Sequence, residues 1–108
     1  MSKTKPVSAF QQRVYDAARK IPRGKVTTYA ALAKKIGCGS PRAVGQALRR
    51  NPFAPEVPCH RVVAGDRTLG GFMGKTAGAA LARKRKLLES EGVRFEGARV
   101  AASDCIKI

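Results

Sequence analysis

A chain of 108 residues with 44% hydrophobic side chains has enough apolar material for one compact domain, no room for a second, and too much of it for disorder throughout. Twenty-two Lys and Arg against seven Asp and Glu give a formal charge of +15, and residues 17–55 hold nine basic side chains (Arg19, Lys20, Arg23, Lys25, Lys34, Lys35, Arg42, Arg49 and Arg50) with no acidic one. No run reaches the roughly 18 apolar residues of a membrane span, and the charged N-terminus has no apolar stretch behind it, so neither a membrane-spanning helix nor a secretory signal is expected.

A field this basic attracts polyanions, with nucleic acid ahead of an anionic membrane surface. The expected location is inside the cell: the nucleus of a eukaryote, the cytoplasm of a prokaryote. Three cysteines, an odd number with no C-x-x-C, argue against a disulfide framework. With His60 the only histidine and Cys59 its immediate neighbour, a zinc site is not expected either.

Residues 1–7 read as a flexible lead-in, 8–97 as the domain, and 98–108 as a C-terminal tail whose sequence is uninformative. Ser8 with Gln11 three residues on has capping-box spacing, and Phe10, Val14, Ala17, Ala18 and Ile21 recur at helical intervals. Pro22-Arg23-Gly24 ends that helix. Val26-Thr27 reads as a short extended piece. Thr28 is an N-cap for a helix over 29–36, closed by Gly37. Ser40-Pro41 is an N-cap followed by proline at the first helical position, opening a helix over 41–50 that Asn51-Pro52 stops. Two short helices joined by Gly37-Cys38-Gly39-Ser40 have the layout of a helix-turn-helix, and the second carries Arg42, Gln46, Arg49 and Arg50 without a negative charge. Residues 61–64 read as a short buried strand, and 65–75, punctuated by Gly70-Gly71 and Gly74, as a loop. Thr76 caps a last helix to about Ser90, with Leu81, Lys84, Leu87 and Leu88 as its stripe. Gly92 closes it, and Val93-Arg94-Phe95-Glu96 adds a final strand.

The stretch Pro58-Cys59-His60-Arg61-Val62 holds the chemistry. A cysteine attacks as its thiolate, which is a few per cent of a free thiol near neutral pH. An adjacent histidine, basic surroundings or an aimed backbone amide would favour the anion. A Cys-His pair by itself is also what an inert core cysteine beside an unrelated histidine looks like.

Four stretches together resemble the O6-alkylguanine-DNA alkyltransferase family. Asn51-Pro52 through Pro58-Cys59-His60-Arg61-Val62-Val63 is similar to its active-site signature. Ile21-Pro22-Arg23-Gly24-Lys25-Val26-Thr27-Thr28-Tyr29 is similar to its entry into the helix-turn-helix, Pro41-Arg42-Ala43-Val44-Gly45-Gln46-Ala47 to its recognition helix, and Leu87-Leu88-Glu89-Ser90-Glu91-Gly92-Val93 to its C-terminal helix end. The resemblance spans roughly residues 10–95. It implies a mainly α fold with short strands, a winged helix-turn-helix. It implies transfer of an alkyl group from O6-alkylguanine in double-stranded DNA to Cys59, once per molecule, after the nucleotide is flipped out, with no metal or organic cofactor. By the same resemblance His60 acts through a bridging water as the base, Glu91 orients His60 and stabilises its charged form, Tyr29 helps protonate the leaving guanine, and Asn51 braces the turn presenting Cys59. The backbone carbonyls of Cys59 and Val62 accept from the guanine amino group, with Phe72 and Met73 near the substrate. Arg42 fills the gap left in the base stack, and Thr28, Ser40, Ala43, Gln46 and Arg49 lie against the DNA. A monomer in solution is expected.

The resemblance has two departures. Only about ten residues precede the core, so an additional N-terminal domain is not expected, and the size is similar to the alkyltransferase-like proteins, which bind and flip alkylguanine without accepting the alkyl group. Those commonly carry tryptophan where this chain has Cys59, and the chain contains no Trp. That leaves a non-catalytic lesion sensor recruiting excision-repair proteins as the alternative reading, and a basic helix-turn-helix regulator as a third. Phe72-Met73 stands where many members have Tyr and Ser, which removes one hydroxyl contact to the guanine O6.

Overall fold

The computed structural model describes residues 8–51, 57–69 and 78–107. The predicted capping box forms: the Gln11 amide donates to Ser8 Oγ at 3.0 Å and the Ser8 amide to Gln11 Oε1 at 2.8 Å, starting helix α1, Ala9–Ala18. The helix is three residues shorter than the hydrophobic spacing suggests. Pro22 disfavours helical backbone at Ile21, and the chain leaves through two tighter turns, Lys20 N–H to the Ala17 carbonyl and Ile21 N–H to that of Ala18. Ile21 keeps its buried place without being helical.

Strand β1, Thr27–Thr28, leads directly into α2, Tyr29–Lys35, where Thr28 Oγ1 accepts from the Ala31 amide at 3.1 Å. The turn after α2 is a Schellman closure. Gly37, at φ +71°, donates to the Lys34 carbonyl, and Cys38 donates to that of Ala33 at 2.8 Å. Ser40 then caps α3, Pro41–Arg49, by accepting from the Ala43 amide at 3.1 Å. Leu32 and Ala33 of α2 and Val44, Ala47 and Leu48 of α3 are buried against Val14, Tyr15 and Ala18 of α1. The Tyr15 hydroxyl ties α1 to α3 through the Ala47 carbonyl at 2.7 Å. The expected helix-turn-helix is therefore a three-helix unit with α1 as its brace.

After Asn51 the described chain resumes at Val57. A single 3₁₀ turn, Cys59–Arg61, runs into strand β2, Val62–Val63, so the turn occupies the first position of the strand predicted over 61–64. Strand β2 pairs parallel with β1, Thr27 opposite Val62 and Thr28 opposite Val63. This two-residue ladder joins the entry of the helix-turn-helix to the cysteine segment. Helix α4, Ala79–Ser90, begins after Gly78, and the Thr76 cap predicted for it lies outside the described residues. It ends in a second Schellman closure: Gly92, φ +94°, donates to the Glu89 carbonyl, and Val93 to that of Leu88 at 3.0 Å. Glu91 is thereby fixed as the C-cap residue.

Strands β3, Phe95–Glu96, and β4, Arg99–Val100, form an antiparallel hairpin whose first half lies within the final strand predicted over 93–96. Residues 98–108, set apart as a tail in the sequence, carry half of that hairpin and a good deal more. Val100 is fully buried with Val26, Val63, Leu88 and Val93. Val26 N–H donates to the Asp104 carbonyl, Ile106 N–H to the Val26 carbonyl at 2.7 Å, and Thr27 Oγ1 to the Ile106 carbonyl at 2.7 Å. The Asp104 carboxylate collects the Arg94 amide at 2.8 Å, the Arg94 guanidinium and Lys25 Nζ at 3.1 Å. Those hydrogen bonds, Arg94 first, hold its carboxyl well below the usual carboxylate range. The segment thus clasps the strand that launches α2. Among the described residues no helix is long and apolar enough to cross a membrane.

Among the described glycines, Gly24 combines left-handed backbone with a close approach to another segment. Gly24 sits at φ +90°, and a Cβ there would lie 3.0 Å from the Glu91 carbonyl oxygen. Gly24→Ala is expected to cost about 2 kcal/mol from left-handed backbone strain and the enforced shift of Glu91, read as a lower thermal midpoint. An unchanged midpoint would mean that this approach is not a constraint.

Candidate active site

Cys59 is presented by a chain of local constraints. Pro58, with φ −81° and ψ 69°, occupies the centre of an inverse γ-turn in which the Cys59 amide donates to the Val57 carbonyl at 2.8 Å. Proline fixes that φ in advance. The Asn51 side-chain amide donates to the same Val57 carbonyl at 3.0 Å, which ties the end of α3 to the turn. Arg61 N–H then donates to the Pro58 carbonyl at 2.9 Å and Val62 N–H to that of Cys59. The thiol of Cys59 is free and half-buried against the helical core.

His60, the next residue, is buried, and its Nε2 lies 3.0 Å from Glu91 Oε2. Donation from Nε2–H to the carboxylate leaves Nδ1 as the lone-pair nitrogen. Glu91 also takes a bidentate pair from Arg61, Nε to Oε1 at 2.9 Å and Nη2 to Oε2 at 3.0 Å, and Arg61 Nη1 reaches the Ile21 carbonyl at 2.9 Å. Burial pushes the His60 pKa down, and Arg61 and Lys84 add to that; the hydrogen bond and charge of Glu91 pull the other way without overcoming it. For Glu91, burial acts upward, but donation from Arg61 and His60 prevails and keeps the carboxyl below its ordinary value.

Lys84 is the residue at the site that the sequence does not single out. Its spacing puts it in the apolar stripe of α4, and it occupies that stripe, fully buried one turn before Leu88. Its ammonium donates to the Val62 carbonyl at 2.8 Å and the Leu69 carbonyl at 2.6 Å, and it lies 6.0 Å from the centre of the Tyr29 ring. Burial brings its pKa down to about 8, and the neighbouring Cys59 acts against that drop. The one signal available beforehand was a lysine at an otherwise apolar helical spacing. The Val62 carbonyl, expected to face a guanine amino group, already accepts from Lys84 and has a second lone pair to offer.

Tyr29, the first residue of α2, is half-buried, with its ring facing Gly45 of α3 on one side and Lys84 on another. His60 and Glu91 thus meet directly, Asn51 ties the end of α3 to the turn before Cys59, and Lys84 links the Val62 carbonyl to the Tyr29 ring. Of the residues expected to meet DNA, Arg42, Gln46 and Arg49 are exposed on α3, at spacings of four and three that share one face. Ala43 is half-buried, and the Thr28 and Ser40 hydroxyls are engaged as helix caps. Phe72 and Met73 lie outside the described residues. A groove of about 490 Å³ runs between the start of α1 and α3, lined by Phe10, Ala43, Gln46, Ala47 and Arg50 among others, and shares no lining residue with the Cys59 cluster.

Comparison with known proteins places the chain in a family. Residues 9–93 match the family model described as 6-O-methylguanine DNA methyltransferase, DNA binding domain. A methylated-DNA–protein-cysteine methyltransferase of Methanothermobacter thermautotrophicus is 48% identical over 88 residues, 82% of this chain and 47% of the relative. One from Sulfolobus acidocaldarius is 47% identical over 90 residues, 83% of this chain and 54% of its own. The chain spans about half the length of these curated relatives. Among solved structures, the Mycobacterium tuberculosis O6-methylguanine methyltransferase superposes with a TM-score of 0.71 at 42% identity, covering 84% of this chain and 53% of that one. Schizosaccharomyces pombe Atl1, solved with damaged DNA containing O6-carboxymethylguanine, gives 0.72 at 34% identity, covering 85% and 83%. With a match running from α1 to the closure of α4 and a cysteine, histidine and glutamate assembled within it, this chain belongs to the 6-O-methylguanine DNA methyltransferase family, as its DNA-binding domain.

Proposed function

We propose that this protein repairs O6-alkylguanine in double-stranded DNA by moving the alkyl group to Cys59, once per molecule. The observation that carries the reading is the His60–Glu91 contact beside a free, half-buried Cys59. His60 directly follows Cys59 in the chain, and the Glu91 contact holds its imidazole in one tautomer, so that it can serve the thiol as base by an extension of triad logic. Relatives at 47–49% identity that are named for this activity support it.

The reaction makes demands that these residues meet. The O6-alkyl carbon is unreachable inside the stack, so the nucleotide is extruded at a cost of a few kcal/mol, less for a poorly paired alkylguanine. Arg42, exposed near the start of α3, enters the gap, and Gln46, Arg49, Ala43, Thr28 and Ser40 lie along the backbone. The basic surface supplies sequence-independent affinity that falls steeply with salt. His60 takes the thiol proton through a water. The thiolate attacks the alkyl carbon: a C–S bond forms, the C–O6 bond breaks, and the electron pair stays on the guanine, which takes a proton with Tyr29 as donor. The carbonyls of Cys59 and Val62 hold the guanine amino group. The thioether is stable, so there is no turnover.

The test is the intact mass of the protein after incubation with a duplex containing O6-methylguanine. A gain of one methylene supports transfer. The second reading, a lesion sensor that recruits excision repair, draws on the likeness to Atl1 over 83% of that chain; no mass gain together with lesion-selective binding would establish it instead. Arg42→Ala is expected to slow repair of the duplex by about tenfold or more while leaving reaction with the free modified base near wild type, as loss of an intercalated side chain worth a kcal/mol or more would do. Equal loss on both substrates would remove Arg42 from the flipping step.

A further inference from the structure

Three donors converge on the Glu91 carboxylate, and two of them belong to Arg61. Its Nε and Nη2 take one oxygen each, at 2.9 and 3.0 Å, and the second of those oxygens is the one 3.0 Å from His60 Nε2. Nη1 is anchored at 2.9 Å on the Ile21 carbonyl, beyond the end of α1, so the planar group is fixed at both edges. A histidine buried against an unshared carboxylate is drawn toward the imidazolium, and an imidazolium cannot accept a proton from a thiol. Sharing the carboxylate with a guanidinium removes most of that pull, because the negative charge is already balanced.

We propose that Arg61 is a positioning residue that keeps His60 neutral in the resting protein, by holding Glu91 in a bidentate pair and leaving it only one hydrogen bond's worth of attraction for the imidazole. The inference rests on the alkyl-transfer reading, in which His60 is the proton acceptor for Cys59. It also alters the role expected for Glu91, which here fixes the tautomer before the proton moves more than it favours the charged ring. The charged groups facing His60 are Glu91 at the end of α4, Arg61 from the same 3₁₀ turn and Lys84 from α4. Burial disfavours the imidazolium most, and the two cations act in the same direction. On proton transfer the S–H proton passes through water to Nδ1, giving thiolate and imidazolium. The positive charge on the ring then rests against a carboxylate already in place.

His60 is the only histidine in the chain, so its ring resonances are unambiguous in NMR. The experiment titrates them in the full-length wild type, Arg61→Met and Arg61→Lys, and measures the pH dependence of methyl transfer for the same three proteins. Removing the guanidinium raises the imidazole pKa, so the neutral base is lost at a higher pH on acidification. The wild-type midpoint is expected below 6.5. In Arg61→Met it rises by about one pH unit or more, with a smaller rise in Arg61→Lys, which keeps the charge but loses the fork. The acid limb of the transfer rate moves by the same amount. A wild-type midpoint at or above 6.5 overturns the proposal, as does an unmoved midpoint in either folded variant. Should Arg61→Met fail to fold, the wild-type midpoint and Arg61→Lys still decide. A wild type that gains no methyl group overturns the transfer reading, while the NMR midpoints judge the Arg61 coupling independently of it.

Discussion

Cys59→Ala is expected to abolish methyl transfer while leaving affinity for the lesion duplex within about threefold of wild type, a change below roughly 0.7 kcal/mol. The sulfur is the acceptor atom, and no neighbouring group substitutes for it: Cys38 sits in the helix-turn-helix turn, with its Sγ accepting from the Ser40 amide, and Cys105 packs under the C-terminal clasp beside Val26 and Val100. Affinity comes from a different surface, the exposed Arg42, Gln46 and Arg49 face of α3 and its basic surroundings, which the substitution does not touch. Alanine also removes little core, since Cys59 is only half-buried and is held by backbone bonds that alanine makes equally well. Transfer assays and fluorescence-anisotropy binding on the same preparation separate the two properties. Loss of binding together with transfer would make the cysteine structural.

Glu91→Gln is expected to lower the transfer rate by about 10²-fold or more and to destabilise the protein by about 3 kcal/mol. Among the described residues the carboxylate is the acidic partner of both His60 and Arg61, with 11% of its side chain exposed, and glutamine offers one neutral acceptor oxygen and a donor NH₂ where the carboxylate offers two charged acceptor oxygens to three donors. The Arg61 guanidinium would remain largely buried without a counter-charge. The linkage has a definite sign. Because the folded protein holds the Glu91 pKa below its ordinary value, its contribution to stability is present above the unfolded-state pKa of about 4.3. That contribution is lost as pH falls through the lower folded value. The wild type should therefore lose more stability than Glu91→Gln between about pH 5 and pH 3 in urea titrations. Parallel loss in both would show that the carboxylate is not paired in solution.

The elements that the sequence disclosed are those set by local chemistry. Ser8, Thr28 and Ser40 each cap a helix three residues on, and Gly37 and Gly92 close helices in the left-handed conformation, because these bonds involve neighbours in the chain. The helix-turn-helix followed from those stops and starts. The meeting of His60 and Glu91 was legible only through family resemblance, since it arises where the 3₁₀ turn packs against the end of α4, a contact across 31 residues that no periodicity marks. Lys84 was placed on the right face of α4, but its partners are backbone carbonyls 15 and 22 residues away. Residues past Gly97 have no hydrophobic pattern long enough to read. They are held instead by backbone bonds to Val26 and by Asp104 gathering Lys25 and Arg94, contacts spanning up to 80 residues.

Labelled methyl transfer from an O6-methylguanine duplex, with the modified residue located by peptide sequencing in a mass spectrometer, tests the central claim most directly. The account predicts one methyl group per protein molecule at saturation, carried on the peptide containing Cys59, with the peptides of Cys38 and Cys105 unmodified. Label on either of those cysteines, more than one group per molecule, or unlabelled protein that still binds the lesion would contradict it.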